Sequence, residues 1–180
     1  MAHISSIGAA IYTSLSFAAA TAIPGTGAAA DFDAANTTGG LFVSGGTPIA
    51  DVRDFPAVGA PANIVKVPGY GSKQSKQIMG QSDAPNMEIT INYVASDWAS
   101  GGTLKNLIDN DTMVLFRFAL MNTAPAAATA NKLATDNSCF YWLGKIEAIV
   151  VKPSLTDATT ATLTLSMQSD FFGAFTHTAA

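Results

Sequence analysis

The side chains that most often carry enzymatic chemistry are scarce in this sequence of 180 residues. A hydrolytic triad needs a base beside its nucleophile, and histidine is the usual base. The two histidines, His3 and His177, lie one near each end of the chain, where solvated terminal residues are expected. No serine lies in a Gly-x-Ser-x-Gly elbow. The residue types therefore indicate a protein that is not an enzyme.

Ligand-binding motifs are equally weak. Gly25 to Ala30 loosely matches the dinucleotide fingerprint, but Pro24 precedes it and neither a hydrophobic strand nor an amphipathic helix is predicted beside it, so a turn is expected. Asp31-Phe32-Asp33 and Asp109-Asn110-Asp111 do not continue into a calcium loop. Cys139 is the only cysteine, which excludes an intrachain disulfide and predicts a small buried side chain. We expect no cofactor and no metal.

Charge is the unusual feature of the composition. Charged residues make up 12% of the chain, about half of the ~25% typical of soluble domains. A net charge of −4 leaves no basic patch for binding nucleic acid freely. The apolar stretch from Ala9 to Ala22 lacks a preceding Lys or Arg, and no stretch is long enough for a membrane helix. These features predict a soluble protein, made in the cytoplasm, whose surface is largely covered by other copies of itself.

The elements that would position any site are mostly strands, because period-two alternation dominates the sequence. The predicted strands are Ile11–Phe17, Ile64–Val67, Met87–Tyr93, Thr112–Met121, Phe140–Val151 and Thr160–Gln168. In the fifth strand the alternation places Phe140, Trp142, Ile146, Ala148 and Val150 on one face. One short helix is predicted around Leu104, Leu107 and Ile108, with Thr103 or Ser100 as its N-cap.

The chain is expected to form a single domain over residues 1–180. From Ala22 to Pro61 it is rich in Gly, Ala, Pro and Thr, and this length exceeds an ordinary connection inside a compact domain. Such a segment usually serves as a functional arm.

Small neutral polar residues alternate with the apolar ones in two of the predicted strands. Thr160, Thr162, Thr164, Ser166 and Gln168 form a hydroxyl- and amide-bearing row without any Lys or Arg. Two interpretations remain open: the solvated outer face of a β-sandwich, or a wall past which a large polar object moves without binding. Ordinary solvated strands tend to carry Lys and Glu, which also block edge-to-edge association.

The order of these features resembles the major tail tube protein of long non-contractile (siphophage) tails. The resemblance covers Asn86 to Phe175, about half of the chain. It rests on the strand Met87–Tyr93, the helix around Leu104 to Ile108, and the segment Trp142–Val151 followed by the Thr/Leu alternation.

The resemblance implies a mainly β fold, a β-sandwich of two packed antiparallel sheets with one short flanking α-helix and long loops. Six copies would form a ring, stacked rings would form the tube, and genomic DNA would pass through the lumen without specific binding. The other implied partners are the tape-measure, tail-tip and tail-terminator proteins, with no membrane, and the implied location is the virion.

Two groups of residues follow as expectations from this resemblance. The residues expected to line the lumen are Glu88, Thr90, Asn92, Thr160, Thr162 and Thr164. The arm from Ala22 to Pro61 is expected to make the contacts between rings or subunits, through Asn36, Gly39, Leu41, Phe42 and Val43.

Two other classes of function remain as alternatives. One is a different self-assembling β protein, such as a tail terminator, a capsid decoration protein or a pilus-type subunit. The other is a monomeric carbohydrate- or calcium-binding module with an aromatic platform formed by Tyr12, Tyr70, Trp98 or Trp142. Trp142 lies in an apolar strand and is expected in the core, whereas Trp98 is expected to be exposed.

Overall fold

The chain is mainly β, as predicted. The computed structural model describes residues 14–34, 42, 47–49, 52–57, 59, 64–71, 73–80, 86–120 and 138–176. The strands are β1 (Ser14–Ala19), β2 (Thr47–Pro48), β3 (Val52–Asp54), β4 (Ile64–Val67), β5 (Lys76–Met79), β6 (Met87–Asn92), β7 (Val114–Leu120), β8 (Ser138–Lys152), β9 (Thr160–Met167) and β10 (Phe172–Thr176). The helices are α1 (Ala29–Ala34), α2 (Ala95–Trp98) and α3 (Thr103–Asp109).

The strands form two antiparallel sheets of very different size. Eight of them make one sheet in the order β2-β1-β7-β8-β9-β6-β3, with β10 also paired to β8. Strands β4 and β5 form a separate two-stranded ribbon. The halves of the large sheet, β1 with β7 and β9 with β6, both send apolar side chains into one core. The large sheet therefore curls, and its two halves enclose that core.

Strand β8 joins the two halves because it is 15 residues long and pairs on both edges. Its first half pairs with β7 on one edge, from Ser138 to Gly144. On the other edge it pairs first with β10 and then, from Gly144 to Lys152, with β9. Gly144 lies at the junction, where an added Cβ would stand 2.2 Å from the backbone oxygen of Ser166. Only glycine allows the two backbones to approach so closely.

The main core fills the inside of the curled sheet. It contains the apolar faces of β6 and β9, the aromatic rings of β7, and Trp142, which stacks on Phe116 with 5.5 Å between ring centroids. Leu163 and Leu165 on β9 are fully buried there. The predicted alternation of β6 and β9 is therefore confirmed.

A β-bulge in β8 corrects the predicted face of that strand. Leu165 pairs with Ile146, but the next partner, Thr164, pairs with Ala148, so Glu147 is an extra residue. An extra residue reverses the alternation beyond it. Ala148 and Val150, predicted to share the apolar face of Ile146, instead lie across from Thr164 and Thr162 on the opposite face.

A second core covers the other face of the first half of the sheet. Leu115 and Ala119 of β7 and Tyr141 and Leu143 of β8 point into it, so β7 is buried on both faces, which agrees with the nearly unbroken apolar run from Thr112 to Met121 in the sequence. Phe32 of α1 stacks on Tyr141 with ring centroids 4.5 Å apart. The same core contains Cys139, buried as expected.

The predicted helix is present as α3. Leu104 is buried, and Leu107 and Ile108 pack against the main core. Its N-cap is Gly102, not Thr103 or Ser100. A Cβ at Gly102 would lie 2.4 Å from the backbone oxygen of Asp97, so the turn from α2 into α3 leaves no room for a capping side chain.

The two faces of β9 should differ sharply in their contribution to stability. Leu163→Ala removes a fully buried side chain and leaves a cavity, and we expect it to lower the free energy of unfolding by about 2–5 kcal/mol. The neighbouring Thr162→Ala on the opposite face should cost less than about 1 kcal/mol. Chemical denaturation measures both, and equal losses would contradict this assignment of faces.

Candidate functional site

The six side chains expected to act together do lie together, on one face of the large sheet. The register of β6 with β9 places Glu88 opposite Thr164, Thr90 opposite Thr162, and Asn92 opposite Thr160. Directly paired residues point to the same face, so the six form a continuous patch. We call this patch the polar face. Glu88 is exposed and the other five are half-buried.

Two flanking strands extend the polar face with residues that the sequence analysis did not assign to it. Strand β8 adds Ala148, Val150 and Lys152, opposite Thr164, Thr162 and Thr160. Strand β3 adds Asp54, which pairs with Thr90. The row of β9 itself carries no Lys or Arg, but β8 places Lys152 beside Thr160 at one end and Lys145 beside Ser166 at the other. Nothing in the sequence marks the bulge that determines this register.

A small depression lies at the Lys152 end of the polar face. It has a volume of about 210 Å³ and is lined by Arg53, Lys152, Ser154, Asp157, Ala158 and Thr160. Arg53 Nη2 contacts Asp157 Oδ2 at 3.4 Å, so one of the two cations is already paired. This ion pair links β3 to the β8–β9 loop, 104 residues away in sequence.

The pKa of Asp157 lies below its ordinary value. The main cause is the backbone N–H of Ala158, which donates to Oδ1 at 2.7 Å, and the Arg53 guanidinium lowers the pKa further. A carboxyl group with a depressed pKa stabilises the fold above its unfolded pKa, and the stabilisation is lost as the pH falls through the folded pKa. The hydrogen bond and the ion pair of Asp157 therefore stabilise the β8–β9 loop at neutral pH, and acid weakens them.

The bulge at Glu147 carries a polar cluster at the other end of β9. The Ser166 hydroxyl is buried and donates to Glu147 Oε1, and the Gln168 amide donates to Ser166 Oγ at 3.2 Å. Lys145, opposite Ser166, contacts Asp111 Oδ2 at 2.6 Å. At this end of the sheet a hydroxyl group thus holds Glu147 and a carboxylate holds Lys145.

The glycine-rich segment after β1 is a turn, as predicted, although a short helix follows it. Asp31 in α1 accepts hydrogen bonds from the backbone N–H groups of Thr26, at 2.8 Å, and Ala28, at 3.1 Å. These bonds lower the pKa of Asp31. The donors that a phosphate would need are thus occupied by a carboxylate of the same chain.

The second aspartate pair serves local structure. Asp109 is ion-paired with Lys105 one turn earlier in α3, and Asp111 with Lys145. Asp111 has a φ of 48°, typical of a tight turn. Among the described residues no three His, Cys, Asp or Glu side chains come close enough to hold a metal ion. Within the same ranges no helix is long and apolar enough to cross a membrane.

The expected aromatic platform is corrected at Trp98, which is buried rather than exposed. Its ring packs in the main core because α2 folds back beside α3. Trp142 is buried, as expected, whereas Tyr70 is fully exposed. Tyr12 lies outside the described residues.

The expected arm lies mostly outside the described residues, including Asn36, Gly39, Leu41 and Val43. Phe42 is described, and its ring is fully buried in the second core, 4.5 Å from the Arg117 guanidinium carbon. Burial lowers the pKa of Arg117. Parts of the same segment, β2 and β3, pair with β1 and β6. The Phe42 ring therefore holds the segment on its own chain, and the role of the segment between rings stays a prediction.

Comparison with known proteins gives a structural match without a sequence match. No protein-family model matches the chain, and no curated protein sequence does. Among solved structures the chain is similar to the SPP1 tail tube, with a TM-score of 0.55 over 91% of this chain and 78% of that one. The chain has a tail-tube-like fold. Sequence identity is 10%, so the likeness concerns the fold alone.

Removing Arg53 should shift the titration of Asp157 in this tail-tube-like domain. In Arg53→Gln we expect the pKa of Asp157 to rise toward its ordinary value without reaching it, because the Ala158 N–H still donates. NMR titration of the carboxyl group measures this. Asp31 is the internal control, since its hydrogen bonds do not involve Arg53. An unchanged Asp157 titration would contradict the ion pair.

Proposed function

We propose that this protein is the structural subunit of a phage tail tube: it self-assembles into stacked rings, six copies in each, and the tube conducts the genome into the host. The observation that carries the proposal is the polar face in a tail-tube-like fold. One face of the large sheet points away from the main core. Among the described residues, Phe32 and Phe42 cover the apolar part of that face, and the polar face is the part that they leave open.

Unpaired strand edges support ring formation. Among the described strands, β7 pairs with β8 only as far as Gly144, so the same edge of β8 from Lys145 to Lys152 has no strand partner. At the far side of the sheet, β3 pairs only with the end of β6, at Thr90 and Ile91. Open edges favour pairing with another chain, and closure into a ring removes them. A neighbouring copy would extend the sheet and make the polar faces continuous.

The chemistry of the polar face suits passage rather than binding. Threonine hydroxyls and one amide cover its centre, and the carboxylates of Asp54 and Glu88 repel phosphate. A strong DNA-binding surface instead gathers Lys and Arg. Lys152 stands at one end, outside the central rows.

The proposed partners are further copies of the chain, together with the tape-measure, tail-tip and tail-terminator proteins of a phage with a long non-contractile tail. DNA would pass without sequence recognition, and no catalysis is involved. The proposed place of the protein is the virion, after synthesis in the cytoplasm of the host.

Reversing charge on the polar face should impair DNA passage and spare assembly. Thr162→Lys with Glu88→Lys changes the charge of each subunit by +3, and repeated copies would create a cationic wall that binds phosphate. We expect tubes of normal appearance by electron microscopy, but slower or incomplete DNA release from particles that carry the variant.

The matched control places the same charge elsewhere. Ser96→Lys with Asp170→Lys also adds +3, on exposed residues that are not part of the polar face. DNA release should then stay normal. Equal release from both variants would contradict the assignment of the polar face to the lumen, and loss of folding in the first variant alone would show that the face is buried in the subunit.

A further inference from the structure

The β4–β5 ribbon is the most exposed ordered element among the described residues. All eight of its strand residues are exposed, so neither face is covered by the rest of the chain. The register pairs Ile64 with Met79 and Val65 with Ile78. The exposed fractions of these apolar side chains are 57%, 79%, 49% and 55%.

Apolar pairs therefore occur on both faces of the ribbon. Val65 and Ile78 point to one face and Ile64 and Met79 to the other, because adjacent positions in a strand alternate. Clustered exposed apolar residues usually mark an interaction site. A two-stranded ribbon is also only marginally stable alone in water, so a partner that covers it would stabilise it.

The charge of the ribbon contrasts with that of the remaining chain. Residues 64–80 contain Lys66, Lys73 and Lys76 and no Asp or Glu. The ribbon and the connection between its strands thus hold three of the nine basic residues and none of the thirteen acidic ones. The other residues carry six basic and thirteen acidic side chains, a net charge of −7. The basic ribbon is therefore complementary in charge to the acidic remainder of an identical molecule.

We propose that the β4–β5 ribbon docks on a second copy of this chain, with its apolar pairs covered by that copy and its lysines facing the acidic surface. The contact is heterologous, because the ribbon of one copy binds a different surface on the next copy. Heterologous contacts generate rings or stacks. The inference rests on the proposed function and deepens it, since it assigns the subunit contact to residues 64–79 as well as to the open sheet edges.

The apolar part of the contact is tested by Val65→Thr with Ile78→Thr. Threonine keeps the β-branched shape that favours a strand, so the ribbon itself should persist. We expect self-association, measured by sedimentation velocity over a concentration series, to weaken by about tenfold or more. The control is Leu155→Thr, which removes apolar surface from a fully exposed residue of the β8–β9 loop, and its self-association should equal that of the wild type.

The charged part is tested by Lys66→Glu with Lys76→Glu, which should weaken association most at low salt. Lys105→Glu with Ser96→Glu and Ala99→Glu changes the net charge by the same −4, outside the ribbon and the open sheet edges, and should leave association unchanged. Thermal unfolding should be nearly unchanged in the threonine variant, because the main and second cores contain no ribbon residue.

The outcomes separate this inference from the proposed function. Wild-type assembly with equal assembly of the ribbon variants would overturn the inference and leave the proposed function standing. A wild type that stays monomeric at every concentration and salt, also when a tail-tip seed is added, would overturn both. Co-sedimentation with vesicles of phosphatidylcholine and phosphatidylserine, without self-association, would show that the ribbon binds a membrane surface instead.

Discussion

The structure depends on one strand, β8, whose two halves pair with different strands. Strand β8 spans 15 residues and is the only described strand that pairs with three others, so it alone holds the two halves of the curled sheet together. Its apolar residues before the bulge contribute to both cores, because both faces are covered there. Beyond the bulge one face returns to the main core and the other is open. Gly144 permits the close approach that lets β9 take over from β10 as partner.

The bulge at Glu147 links this packing to the proposed function. It turns Ile149 and Val151 toward the side of Leu163 and Ala161, and places Ala148 and Val150 beside the threonines of β9. The polar face thus gains two uncharged side chains from a third strand, with Lys152 at its end. For the proposed function, a wide surface with few charges, supported by a packed core, would stay in place while a charged polymer passes. In the proposed tube, the exposed ribbon and the open strand edges would be the two surfaces that join the copies.

Alternation in the sequence was sufficient to predict the strands β6 and β9 and to bring six separated residues onto one face, and an apolar run was sufficient to predict β7. It could not predict the bulge, because a single extra residue changes no composition or period on either side. Helix α1 was not predicted, because its six residues show no apolar periodicity. Phe32 is its one large apolar side chain, and the other residues are Ala and Asp. Trp98 was expected in solvent because its neighbours are polar, and only the tertiary fold shows α2 turned inward. The ribbon strand β4 was predicted, but not its exposure, since a short apolar strand in sequence looks the same buried or free.

The central claim is that copies of this chain form a tube whose inner wall is the polar face. Electron cryo-microscopy of the purified protein, alone and with a tail-tip seed, tests it most directly. The account predicts hollow tubes with a regular axial repeat, in which Thr162 faces the axis and Leu163 points into the subunit. Dispersed monomers under both conditions, or tubes with the polar face turned outward, would contradict it.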